Sequence, residues 1–144
     1  MRKLLWKQED QSRIADWVAK QVSQNAPWGP YSALGVEDEN GDIIAGVVYD
    51  GYVKGARCSM HCSGIGKKWL SRKFLWMCFD FPFNQLGVKV IINPVDSINE
   101  ASARFTEHCG FTQHASIKNG CGDSDLLIYT LHRDDCRWLG VKHD

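Results

Sequence analysis

The chain has 144 residues, 44% of them hydrophobic and 24% charged, with 17 basic and 17 acidic side chains. That is enough for one domain able to bury about 68–70% of its unfolded surface, and it excludes a disordered or low-complexity polymer. A net charge of zero excludes a general field for nucleic acid or a membrane surface, so any polyanion site has to be local. The amino-terminal stretch Met-Arg-Lys-Leu-Leu-Trp-Lys is too short in apolar residues for a signal-peptide core, and no run approaches a membrane span. The expectation is a single cytoplasmic domain over residues 1–144.

The residues from Asp10 to Val22 repeat apolar positions (Ile14, Trp17, Val18) at helical spacing. The Pro- and Gly-bearing stretch from Asn25 to Pro30 breaks that helix. Two strands follow, Tyr31–Glu37 and Ile43–Tyr49, joined at Asn40-Gly41, a dipeptide that supplies the positive φ angles of a tight hairpin. Asp50-Gly51 predicts a second turn, with a third strand from Tyr52 to Cys62. The period then changes: Leu70, Phe74, Met77 and Phe81 predict a helix over 67–81, which Pro82 ends or kinks. Val88–Asn93 is a short β-branched run, read as a buried strand, and strand–helix–strand implies a parallel crossover.

From Ser97 to Cys109, Ser97 and Glu100 match a capping box, Ile98, Ala101, Phe105 and Cys109 make an apolar stripe, and Gly110 ends the helix. Gln113–Ile117 and Leu126–Leu131 form a last strand pair around the turn from Gly120 to Asp125. The order is a mixed α/β domain: antiparallel strands, then a parallel β-α-β crossover, with helices on both faces.

Six cysteines (Cys58, Cys62, Cys78, Cys109, Cys121, Cys136) are read as small buried hydrophobes of a reducing compartment. Zinc is the sharper alternative, since His61 and Cys62 follow Cys58 and His108 adjoins Cys109. The spacings match no structural zinc pattern, and no metal is assigned.

The segment with the most chemistry is His61-Cys-Ser-Gly64-Ile65-Gly66, followed by Lys67 and Lys68. Glycines let a strand-to-helix turn bring its amides close to a ligand, and a helix start offers unpaired N–H groups to a phosphate. Lys67, Lys68, Arg72 and Lys73 crowd the start of the helix, where the dipole disfavours cations unless an anion binds; Lys54 and Arg57 are near enough in sequence to contribute. A glycine loop beside a solvated basic helix face is the plain alternative.

The sequence of strand, His61-x-x-Gly64-x-Gly66, helix, strand Val88–Asn93, helix with Asn99, and Gly110-Phe111 resembles the R/Q-x-x-G-x-G/A pattern of the GNAT acetyltransferase superfamily over residues 43–131. The aromatic text from Trp69 through Phe79-Asp-Phe-Pro-Phe also resembles small GNAT-like proteins encoded by bacteriophages. The resemblance implies direct transfer of an acyl group from acetyl-CoA to an amine of a small molecule or protein. It implies that Cys58 to Met60 lie on the strand that pairs with pantetheine, the Cys58 amide polarising the thioester carbonyl. Such a donor is typically worth ~2.7–4 kcal/mol. It implies that Gly64, Gly66 and Lys67 hold the pyrophosphate, that Met60, His61, Ile65 and Lys68 also line the cofactor site, that Asn99 bonds the cofactor and that Phe105 packs beside it.

Two positions depart from the pattern. His61 stands where the family has Arg or Gln, and Thr106 stands where many members carry a tyrosine that protonates the leaving thiolate. Tyr129 is the acid assigned in its place, with Cys109, Ser102 and water as alternatives. Glu37, Asp38 and Asp50 are candidate bases near strand ends, and Cys58 or Cys62 as nucleophile lacks an identifiable base. The competing function is a catalytically silent GNAT-like phage protein that binds a host enzyme or regulator. Trp69 and Trp76, seven residues apart, share a helix face as core or as an interface pair, and Trp28 is the exposed tryptophan of its loop.

Overall fold

The computed structural model describes residues 2–22 and 28–140. The expected loop from Asn25 to Pro30 therefore falls partly outside the described residues. In chain order the elements are β1 (Lys3–Leu5), α1 (Gln11–Gln21), β2 (Ser32–Glu37), β3 (Ile43–Val53) and β4 (Arg57–Gly64), then α2 (Arg72–Asp80), β5 (Val90–Asp96), α3 (Glu100–His108), β6 (Thr112–Ile117) and β7 (Leu126–His132). Among the described residues the strands make one sheet in the order β1-β2-β3-β4-β5-β7-β6. All neighbours are antiparallel except β4 and β5, so the predicted mixed sheet with one parallel crossover is the observed fold. No helix among the described residues is long and apolar enough to cross a membrane.

Alternation along the strands sorts the core into two layers. One, under α2, contains Leu34, Val36, Val47, Tyr49, Cys58, Met60, Phe74, Phe79 and Ile91. The other, under α1, contains Leu5, Ile14, Val18, Ile43 and Val48. The second layer is thin because Gly35 and Gly46, paired across β2 and β3, let α1 sit directly on the sheet. A Cβ at Gly46 would fall 2.6 Å from a Val18 methyl. The free edge of β2 beyond β1 is closed by a side chain acting as a short strand: Gln11 donates to the Ala33 carbonyl (2.8 Å) and accepts from its amide (2.6 Å).

Several boundaries moved. The strand β1, which the apolar count at the N-terminus did not suggest, pairs with the end of β2. Asp50-Gly51 makes a bulge rather than a turn, β3 running on to Val53 and turning at residues 54–56. The helix α2 starts at Arg72, not Lys67, because the Ser71 hydroxyl caps it by accepting from the Phe74 amide (3.1 Å). Pro82 has no N–H for the regular ladder, and the chain continues as a π-helical turn over Phe81–Gln85, closed by Leu86 N–H to the Phe81 carbonyl.

The helix α3 is capped by Asn99, whose Oδ1 accepts from the Ser102 amide (3.1 Å). The Ser97 hydroxyl instead accepts from the Asp125 amide (2.9 Å), tying the helix start to the β6–β7 turn. The predicted stripe shifts with that cap: Ile98 is 76% exposed and Thr106 is buried with Cys109.

Candidate functional site

The parallel ladder between β4 and β5 is short. Only Arg57–Ser59 pair with Val90–Ile92, although β4 continues to Gly64 and β5 to Asp96. The cause is in the sequence. Val90 donates its amide toward the β4 side, to the Ala56 carbonyl (3.2 Å), and alternate residues of a parallel strand face the same neighbour. Ile92 and then Pro94 are next in that row, and proline has no N–H to give. The β7 side of β5 stays paired through Asp96. The two strands therefore part beyond Ser59 and Ile92, leaving a fork in the sheet.

One side of the fork, toward α2 and α3, is filled by aromatic rings and buried polar pairs. The Trp69 indole lies over the end of β4, so that a Cβ on Gly64 would fall 2.2 Å from the ring. Its Nε1 donates to the Gly66 carbonyl (2.9 Å), and its ring meets Phe74 (6.1 Å between centroids) and Phe105 of α3 (5.4 Å). Gly64 is thus glycine because a tryptophan packs on it, and that face is closed to a phosphate. Trp76, seven residues on, does not share this position: it lines a separate 370 Å³ cavity with Trp6 and Phe81 at the β2 edge. Deeper on the same side, the buried Asn93 donates to Thr106 Oγ1 (3.1 Å).

The loop after Gly64 is open. Gly66 adopts φ +69° with nothing within 4 Å of a built Cβ, and Ile65, Lys67 and Lys68 are exposed. The Ile65 amide is taken by the Ile44 carbonyl (2.8 Å). The amides of Gly66, Lys67 and Lys68 meet no acceptor among the described residues. Three consecutive amides without a backbone acceptor, on exposed residues and with two lysine ammonium groups, are of a kind that can bind a pyrophosphate, although they precede the start of α2 at Arg72. The residues suited to it are Gly66, Lys67 and Lys68, two positions later than Gly64. They border an open groove of about 1220 Å³ that Arg2, Lys73 and the carboxylates Asp38 and Glu39 also line.

The opposite side of the fork, toward α1, is polar. Ser59, His61 and Ser63 alternate with the inward Cys58, Met60 and Cys62, and His61 pairs with Val48 of the α1 layer. His61 therefore faces away from the loop it was expected to serve. Its Nε2 lies 2.8 Å from Asp50 Oδ1, both side chains being about one-fifth exposed (21% and 23%). The ring packs against Trp28 at 4.9 Å between centroids. Trp28 is half-buried rather than exposed, because its Nε1 donates to the Ala15 carbonyl (3.0 Å).

Other expected residues are placed as follows. Cys58 is fully buried within the paired part of β4, opposite Ile91, and Met60 is the first β4 residue beyond that pairing. Burial pushes the thiols of Cys58, Cys62 and Cys109 up to about 12, which removes them as nucleophiles near neutral pH. Tyr129 does not reach the fork as a free acid. Its hydroxyl donates to Glu107 Oε2 (2.7 Å), and burial, reinforced by that carboxylate, pushes it up to about 12. Asn99 spends its carbonyl on the α3 cap. Glu37 pairs with Arg13 (2.9 Å) and Asp38 accepts from the Asn40 and Asp42 amides, both at the far end of β2. Pro94, which opens the fork, and the Trp69–Gly64 contact were missed; the proline in a β-branched run was the available signal.

Solved structures of N-acetyltransferases share this mixed α/β fold. Spermidine N-acetyltransferase from Vibrio cholerae in complex with CoA and spermine superposes with a TM-score of 0.70 at 14% identity, covering 96% of this chain and 98% of that one. A dodecameric form of that enzyme gives 0.68 at 13% identity, covering 92% and 94%. A protein described as a phosphinothricin N-acetyltransferase gives 0.64 at 14%, covering 92% and 98%. At these identities the likeness is one of fold. No protein-family model and no curated protein matches the sequence.

Proposed function

We propose that the chain is an N-acetyltransferase that moves an acetyl group from acetyl-CoA to an amine. The observation that carries this reading is the fork between β4 and β5, with the exposed residues Gly66, Lys67 and Lys68 following the end of β4, in a fold whose similar solved members include one holding CoA and spermine. Acetyl-CoA supplies the acyl group already activated as a thioester. Gly66, Lys67 and Lys68 hold its pyrophosphate through amides and ammonium groups. The β4 edge from Met60 onward, free of β5, offers backbone groups to the pantetheine arm. Trp69 and Phe105 wall the helix side and keep water from it.

Titration of the purified protein with acetyl-CoA, read by calorimetry and by melting temperature, tests the proposal. A ligand at 100 times its dissociation constant stabilises a fold by ~2.7 kcal/mol. Lys67→Glu with Lys68→Glu is expected to abolish the effect by setting two carboxylates against the pyrophosphate. An unchanged melting temperature at millimolar acetyl-CoA defeats the proposal and favours a fold reused for binding a protein, such as a phage product acting on a host enzyme.

A further inference from the structure

His61 and Asp50 are eleven residues apart on consecutive strands and are brought together by the register of β3 and β4, where Asp50 pairs with Ser59 and Val48 with His61. We infer that His61 is the general base for the incoming amine and that Asp50 is its positioning residue, an inference that rests on the acyl-CoA reading above.

Four observations support it. First, the 2.8 Å contact engages Nε2. A neutral imidazole there donates Nε2–H to the carboxylate, so that Nδ1 carries the lone pair, the tautomer a base requires. Second, His61 sits on β4 two residues past the last residue paired with β5, beside the stretch where the fork is open. Third, it lies on the side of the sheet opposite Trp69 and Phe105. An amine entering from the α1 side meets His61 without displacing the aromatic wall. Fourth, the ring is held from two directions, by Asp50 from β3 and by Trp28, while a fifth of its surface stays open. Bases that act by proton abstraction need that combination of fixed orientation and access. The other candidate carboxylates, Glu37 and Asp38, stand at the β2–β3 turn beside Gly66 and Lys67 rather than beside His61, and are committed to Arg13 and to the Asn40 and Asp42 amides.

The step balances with the groups named. The amine nitrogen bonds to the thioester carbonyl carbon as the carbon–sulfur bond breaks. His61 Nδ1 takes the proton from that nitrogen, and the departing CoA thiolate receives it. Products are the amide and free CoA thiol, with His61 restored to neutral.

The test follows thiol release from acetyl-CoA with spermine and with water as acceptors, alongside acetyl-CoA affinity by calorimetry and the folding of each variant by melting. His61→Gln is expected to lower kcat by ~100-fold or more, within the range for general-base catalysis, with acetyl-CoA affinity unchanged. Asp50→Asn is expected to lower kcat less, and to alter the ¹⁵N chemical shifts that report which His61 nitrogen carries the proton, a signature a packing role would leave in place. A folded His61→Gln variant that retains kcat within threefold overturns the assignment. So does an Asp50→Asn variant with unaltered His61 shifts, or a wild type that binds acetyl-CoA and releases no thiol with either acceptor. A wild type that fails to bind acetyl-CoA defeats the acyl-CoA reading itself, and this assignment with it.

Discussion

The two sides of the β4–β5 fork come from the same strands and have opposite chemistry. Toward α2 and α3 the residues are Cys58, Met60, Cys62, Trp69 and Phe105, closed around one buried polar pair, Asn93 and Thr106. Toward α1 they are Ser59, His61 and Ser63, with Asp50 and Trp28 and partial access to solvent. A period of two along β4 is enough to separate them. The first side spends its residues on packing and the second keeps polar groups in reach, so changes on the first should cost stability and changes on the second should cost activity.

Alkali offers the largest test of that contrast. The thiols of Cys58, Cys62 and Cys109 are raised from an ordinary value near 9 to about 12, all on the helix side. In the unfolded chain they lose protons near 9, so their contribution to stability is whole below that pH and drains away as pH rises toward 12. At about 1.36 kcal/mol per unit, even one such group is a sizeable part of the stability of an ordinary domain, and because Cys109 helps raise Cys62 the three do not simply add. Unfolding followed by circular dichroism should therefore show denaturation before pH 12. Cys58→Ala should move the midpoint upward; an unmoved midpoint would mean the thiols titrate freely in the fold.

Next is Trp69→Ala, expected to cost ~3–5 kcal/mol as a buried aromatic is truncated. Gly64→Ala should cost ~1–3 kcal/mol, because its Cβ would fall inside the indole. The double variant should be less destabilised than the sum, since removing the ring makes room for the methyl. Chemical denaturation reads all three, and strict additivity would break the pairing of Gly64 with Trp69.

How far these features were legible depended on whether their cause was local. The β2–β3 hairpin, the alternation in β2 and β3 and the crossover from β4 to β5 each rest on neighbours in sequence. The turn is wider than the tight one expected: it runs over 38–42, and of Asn40 and Gly41 only Gly41 has a positive φ. The glycines of the loop were also visible, but their division of labour was not. Gly64 serves a ring five residues away and Gly66 a backbone angle, and both have the same side chain. The His61–Asp50 contact needed the register of β3 on β4, shifted by the bulge after Asp50. The α3 cap was misplaced because Ser97 and Asn99 both suit the role, and the choice fell to Asp125, which claims Ser97 from across the fold.

Within the closed side, Thr106→Val keeps the shape and removes the acceptor for the Asn93 amide. A buried donor left unpaired costs ~1–3 kcal/mol. Thr106→Ser, which keeps the hydroxyl, should retain most of the stability at this site. If Thr106→Val were instead neutral in stability and slowed turnover, Thr106 would belong to the reacting side of the fork and the contrast between the two sides would fail.

The smallest effect belongs to Asn99, which stands at the rim where the closed side ends. Its carbonyl accepts from the Ser102 amide at the start of α3, 3.1 Å away. Asn99→Ala removes that cap and should cost ~1 kcal/mol. Asn99→Ser or Asn99→Asp should restore it, because both supply a capping oxygen, and the aspartate also favours the positive end of the helix dipole. The same three variants separate capping from cofactor binding. A role confined to the cap predicts that stability follows the side-chain oxygen while acetyl-CoA affinity stays constant across the series. A side-chain amide that also reaches the cofactor predicts that affinity falls in all three variants, and most in Asn99→Asp, where a carboxylate would face phosphate. Thermal denaturation and calorimetry on one set of proteins decide between them.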